Sequence, residues 1–151
     1  MFALWSSPEV CRHSGEARDE HGAPIVLPAR TPVDSDKILQ FFIGRARAGT
    51  GVRWALVTKD QGRFVGAVGF NSLLAPAELA YHVCADRWGR GYAREACEAV
   101  LRWVRAERGV DAVESFVEEE NERSSALARG LGFAATDEVR DGARRYVLGA
   151  S

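Results

Sequence analysis

Apolar residues recur along this chain with two periods, and the switch from one to the other marks out its elements. Ile38, Phe42 and Ala46 fall one helical turn apart. They follow Thr31-Pro32-Val33-Asp34, which offers an N-cap, a proline at the first helical position and an acid at the third. This pattern predicts a helix from about residue 32 to 48. Further on, Ala96, Cys97, Val100, Leu101 and Val104 share one face, while Arg94, Glu95, Glu98, Arg102 and Arg105 point elsewhere. Gly109 ends that helix as a C′ residue does. A shorter helix over Asn121 to Leu131 stops at Gly132, and residues 2 to 5 form the end of a short helix.

Between the helices the chain is rich in β-formers. Arg53 to Lys59, the turn Asp60-Gln61-Gly62, and Arg63 to Phe70, with Phe64, Val68 and Phe70 among small residues, form a predicted hairpin. Ala75-Pro76 breaks the pattern, and Glu78 to Cys84 makes a third strand. Val110 to Val117 is predicted as a buried parallel strand, because strand, helix and strand of these lengths make a crossover unit. Two last strands, near 134–139 and 144–148, flank Asp141-Gly142. Residues 14–28, rich in Gly, Pro and charge, form a long loop. The fold class is α/β (α+β), with one domain over residues 1–151 and no internal repeat.

Composition narrows the chemistry. With 46% hydrophobic and 27% charged residues the chain can build a core, and a formal net charge of −1 removes the general attraction to phosphate backbones that nucleic-acid binders use. Cys11, Cys84 and Cys97 are odd in number and lack zinc spacing, so they are predicted as free thiols, with no metal site and with Cys84 and Cys97 as buried packing residues. No apolar run is long enough for a membrane span, and the N-terminus is not a signal peptide; the expected location is the cytoplasm. Trp54 and Trp103 suit packing.

The most informative segment is Trp88-Gly89-Arg90-Gly91-Tyr92-Ala93, between a predicted strand and the start of a helix. Unpaired backbone N–H groups and the helix dipole favour an anion there, and Arg87, Arg90 and Arg94 add positive charge. A Gly-x-Gly alone is better read as a tight turn flanked by solvated arginines. A dinucleotide fingerprint fails, because Arg94 occupies the position that should be glycine or alanine, and no Gly-Lys-Ser/Thr ending suits a nucleoside triphosphate.

The order of elements, taken with this loop, resembles the GNAT N-acetyltransferases. Their loop motif is Gln/Arg-x-x-Gly-x-Gly/Ala; here Gly91 and Ala93 fill the last two fixed places and Trp88 the first. The Trp-Gly-x-Gly-Tyr-Ala form is similar to the branch typified by RimJ and RimL. A second block, Asn121-Glu122-Arg123-Ser124 through to Leu131-Gly132-Phe133, resembles the family's Asn-x-x-Ser/Ala stretch ending in Leu-Gly-Phe. A weaker match places Trp5 to Val10 after the family's first helix, so that the family's first strand and most of its first helix would precede Met1. In a competing alignment Ile25 to Leu27 is that first strand. Where the strand is missing, an exposed sheet edge is expected to recruit Ile25–Leu27 or a second copy, as a homodimer.

The resemblance implies a mixed, mostly antiparallel sheet flanked by helices and splayed between the family's fourth and fifth strands. It implies acetyl-CoA as co-substrate, without metal, and an amine acceptor, either a peptide N-terminus or a small amine. The pantetheine arm would pair with backbone at His82 and Val83. The pyrophosphate would rest on Gly89, Arg90, Gly91, Tyr92 and Ala93 below Trp88, with Arg94 and Arg129 near the adenosine phosphates. Glu78 is the candidate base and equally a surface carboxylate at a strand end. The tyrosine that many relatives use as acid is replaced by Ala128, which makes Ser124 the candidate donor to the leaving thiolate; a helix-start cap is its other reading. Asn121 either caps that helix or binds the cofactor arm, the second being the preferred reading. Tyr81 faces away from His82, toward the acceptor cleft or the core. A non-catalytic acyl-CoA-binding module of the same fold is the alternative function.

Overall fold

The structure, a computed structural model, describes residues 1–149. Two short helices, α1 (Phe2–Trp5) and α2 (Pro8–Cys11), precede the strand pair β1 (Ala17–Arg18) and β2 (Pro24–Ile25). Then come α3 (Pro32–Arg47), β3 (Val52–Val57), β4 (Phe64–Ser72), β5 (Ala77–Val83), α4 (Tyr92–Arg108), β6 (Val113–Glu118), α5 (Glu122–Gly130), β7 (Ala134–Arg140) and β8 (Ala143–Leu148).

Local chemistry starts these elements where the sequence places them. Thr31 Oγ1 accepts from Asp34 N while Asp34 Oδ2 accepts from Thr31 N at 3.0 Å, so both partners of the predicted capping box at α3 are in place. Gly109 ends α4 at φ 62°, a left-handed conformation that glycine reaches without a Cβ penalty.

Six strands form the main sheet in the order β3-β4-β5-β6-β8-β7, antiparallel except for the β5–β6 pair. Side chains alternate across it. Val68, Phe70, Ala77, Leu79, Val113 and Val117 pack under Cys97, Val100, Leu101 and Val104 of α4. On the other face Ala67 joins Leu4, Trp5, Val10 and Ile38. The sheet therefore lies between α4 and α5 on one side and α1, α2 and α3 on the other.

The segment predicted as a loop over residues 14–28 holds a small hairpin, because Asp19 Oδ1 accepts from the amides of His21 and Ala23, each at 2.9 Å, and closes the turn. Ile25 pairs with Ala17 in this separate sheet, so the alignment that made Ile25–Leu27 an edge strand of the main sheet is incorrect. Among the described residues β3 has one neighbour, β4.

Candidate active site

The parallel pairing of β5 and β6 is confined to Ala77 with Val113 and Glu78 with Glu114. Beyond Glu78 the two strands part, and the gap between them is the predicted splay. It falls between β5 and β6, the third and fourth strands of the main sheet in chain order. Cys84 N donates to Val65 O at 2.9 Å. Because the polar groups of a strand alternate between its two neighbours, this bond fixes the direction of the rest. His82, paired with Ala67, turns its amide and carbonyl toward β4, whereas Leu79, Tyr81 and Val83 turn theirs into the gap. The backbone groups left open to the gap are thus those of Val83, Tyr81 and Leu79, while His82, expected to offer its backbone there, pairs with Ala67 and lines the cavity with its side chain.

At the wide end of the gap stands the glycine loop. Gly89 (φ 73°) and Gly91 (φ 83°) are both left-handed, and a Cβ on either would meet no other atom within 4 Å, so the loop faces open space. Gly91 precedes α4 without any side-chain cap, which leaves the first amides of the helix, at Tyr92 and Ala93, directed at the cavity. Trp88 folds back so that its Nε1 donates to Val83 O at 2.8 Å. The Arg123 guanidinium lies 4.1 Å above the Trp88 ring. Sequence reasoning misses Arg123 because its neighbour in space is 35 positions away; its place two residues after Asn121, in the first turn of α5, is the only local sign.

Two of the expected phosphate ligands are engaged elsewhere. Arg94 donates to Gly130 O at 3.0 Å, where a cation suits the carbonyl end of α5. Arg129 lies over Tyr146 at 5.9 Å, on the β8 side. Arg94 nonetheless lines the cavity beside the loop, whereas Arg129 is not among its lining residues. Arg90 is exposed beside the loop, and Arg87 pairs with Asp86 at 3.2 Å.

On the α3 face of β5 stand Glu78, Ala80 and His82. Glu78 is not a loose surface carboxylate: its Oε1 accepts from Asn71 Nδ2 and its Oε2 from Arg140 Nη2, both at 2.8 Å. Arg53 donates to Asn71 Oδ1 and to Ala80 O, and its guanidinium lies 4.7 Å above Phe42. Burial lowers the Arg53 pKa to about 10, still charged at neutral pH. Arg140 lies 3.6 Å above Phe116 of β6. None of these partners of Glu78 is visible in the local sequence, since they come from β3, β4 and β7.

Burial, and then the nearby Arg53 charge, push the His82 pKa down to about 3, against the ordinary 6.5. Its ring packs 4.8 Å from Trp5, and its buried Nδ1 has no hydrogen-bond partner. It is a neutral imidazole in the cleft wall. Between pH about 6.5 and 3 the unfolded chain binds a proton that the native His82 refuses. Stability should accordingly fall with acidification through that window, by up to about 1.4 kcal/mol per pH unit for this one proton. Urea melts at several pH values should show a shallower decline in His82→Gln; equal slopes would contradict this reading of His82.

On the opposite face of β5, Tyr81 Oη donates to Ser124 Oγ at 2.9 Å, across to α5. Asn121 Oδ1 accepts from Ser124 N at 3.2 Å, so Asn121 is the helix cap, and its Nδ2 is left to reach a ligand. The Ser124 hydroxyl is not the cap. Cys97 is fully buried and its thiol is pushed up to about 12, which suits packing and not nucleophilic chemistry. Cys84 is only half-buried, a correction to its expected burial. Among the described residues no group of three or more His, Cys, Asp or Glu side chains could hold a metal ion.

One cavity of about 1820 Å³ touches all these parts: Trp88, Gly89 and Gly91 to Arg94, Asn121 and Ser124, the gap along β5, and Glu78, His82 and Phe42 on the far side. Pockets for single small ligands span roughly 300–1,000 Å³, so this space has room for two substrates meeting through the sheet.

A forked sheet with a glycine loop at its open end and a carboxylate at its closed end is the architecture of an acyl-transfer domain. Residues 1–134 match the family described as Acetyltransferase (GNAT) domain, and the chain belongs to that family of acetyltransferases. It is 25% identical, over 88% of its length and 71% of the relative's, to a Bacillus subtilis protein named "Uncharacterized N-acetyltransferase YoaA". The fold is shared with an acetyltransferase from Agrobacterium tumefaciens (TM-score 0.73, 20% identity, 99% of this chain and 82% of that one). It is shared too with RimJ of Mycobacterium smegmatis, solved with CoA-disulfide (TM-score 0.65, 23% identity, 78% and 62%). No described helix is long and apolar enough to cross a membrane.

Proposed function

We propose that this acetyltransferase uses acetyl-CoA as donor and passes the acetyl group directly to a primary amine, with a peptide N-terminus as the favoured acceptor. The observation that carries this reading is the cavity running through the splay from the glycine loop to Glu78. The pyrophosphate rests on the amides from Gly89 to Ala93, where a helix N-terminus and Arg123 offset its charge. The pantetheine arm then follows β5 inward, pairing with backbone at Val83 and Tyr81. At about 3.3 Å per residue, the four steps from Val83 to Leu79 span about 13 Å and bring the thioester close to Glu78. A backbone N–H in the gap donates a hydrogen bond to the carbonyl oxygen as negative charge develops on it.

The amine enters from the α3 face, between His82, Phe42 and Phe116. It must be neutral to attack, and a terminal α-amine, with a pKa of about 7.7–8, gives up its proton more readily than a lysine-like amine near 10.4. Glu78 takes that proton, directly or through water; each of its oxygens keeps a second lone pair beyond the bonds to Asn71 and Arg140. Ser124 faces the sulfur from α5.

The acceptor is tested by incubating the protein and acetyl-CoA with peptides of different N-termini, free amino acids, polyamines and aminoglycosides, with products read by mass. Acetylated peptides bearing the label on the α-nitrogen are expected. Acetylation confined to small polyamines or aminoglycosides would overturn the peptide preference, and binding of acetyl-CoA without any product would leave an acyl-CoA-binding module.

A further inference from the structure

The α5 position at which many relatives carry an acid is Ala128, and it is buried in the core one turn beyond Ser124. The hydroxyl that α5 brings to the cavity at its N-terminal end is that of Ser124, and a serine early in a helix commonly turns its proton back to a carbonyl one turn before it. Left to itself, Ser124 would thus offer the cavity a lone pair as often as a proton.

Tyr81 biases that choice by occupying one lone pair of the serine hydroxyl. Its side chain crosses from β5 to α5 and its Oη donates to Ser124 Oγ at 2.9 Å, while Asn121 Oδ1 fixes the serine backbone from the other side. Both hydroxyl-bearing residues line the cavity. We propose that Tyr81 is a positioning residue that turns the Ser124 proton toward the sulfur of coenzyme A, so that a strand tyrosine acting through a serine does what the missing helix tyrosine would do. This rests on the reading that the thioester lies in the splay.

The chemistry balances without a proton leaving either hydroxyl. The amine nitrogen forms the C–N bond, the C–S bond breaks with its electron pair on sulfur, the amine proton goes to Glu78, and the thiolate is held by the Ser124 O–H. Tyr81 is suited to the part because burial pushes its pKa to about 12, so it remains a donor at every working pH.

The test needs no acceptor. Coenzyme A itself is bound to the protein and its thiol titrated by the ultraviolet absorbance of the thiolate, with affinity measured in parallel by calorimetry. A donor on the sulfur favours the thiolate, so the bound thiol should titrate about one pH unit higher in Ser124→Ala than in the wild type. Tyr81→Phe should raise it by a similar amount with little change in affinity, and the double variant should go no higher than Ser124→Ala. A Tyr81→Phe complex that titrates like the wild type, or shifts that add in the double variant, would overturn the proposal and leave the acetyl-CoA reading intact. Wild-type protein that binds no coenzyme A would sink both.

Discussion

Replacing Glu78 by glutamine is expected to lower kcat/KM near neutral pH by about 10²- to 10⁴-fold, the usual worth of a positioned general base. The substitution keeps the side-chain shape, and the new amide oxygen can still accept from Asn71 Nδ2; what is lost is the charge and the site that receives the amine proton. The loss should shrink as pH rises through the amine's own pKa, because a neutral amine no longer needs the base. For an α-amine that recovery begins around pH 8; for a lysine-like amine it begins above about pH 10. Rates across this range, on protein whose thermal melt matches the wild type, check the assignment. A full rate at pH 7 would retire Glu78 as the base and leave it a partner of Arg140.

Gly91→Asp should weaken binding of coenzyme A by at least about 100-fold, or roughly 3 kcal/mol. The structure separates this effect from misfolding. A Cβ at Gly91 would meet no other atom within 4 Å. Its φ of 83° is a strained conformation that aspartate tolerates better than most residues, and an acid before the first turn of α4 suits the helix dipole. The unliganded protein should therefore keep close to its wild-type melting temperature while the carboxylate repels the pyrophosphate. Calorimetry that shows unchanged affinity would place the phosphates elsewhere.

The parts of the site legible in the sequence are those carried by short runs of chain. The glycine loop, the start of α4 and the capping box of α3 each depend on a few consecutive residues, whose turn and capping chemistry is local. The periodicity of α3 and α4 likewise reports their buried faces. Side chains engaged across the sheet are a different matter. Arg94 looks like a phosphate ligand beside its loop, but only the packing of α4 on α5 shows it bound to Gly130. Arg123 over Trp88, Arg140 on Glu78 and Tyr81 on Ser124 join residues 35 or more positions apart, and no local pattern announces them. The direction of the His82 polar groups is hidden from sequence for a subtler reason. Strand alternation is plain in the sequence, but which half of it faces the splay depends on register, fixed here by the bond from Cys84 to Val65. The small hairpin β1–β2 escapes notice because two-residue strands leave no period to detect.

The most direct test of a substrate path through the splay is backbone amide exchange with and without bound coenzyme A. Slowed exchange is predicted at Tyr81 and Val83, whose N–H groups face the gap, and across Gly89 to Ala93, with His82 unchanged because its amide already pairs with Ala67. Binding of coenzyme A that protects the loop but leaves Tyr81 and Val83 as they were, or that protects neither, would contradict the account.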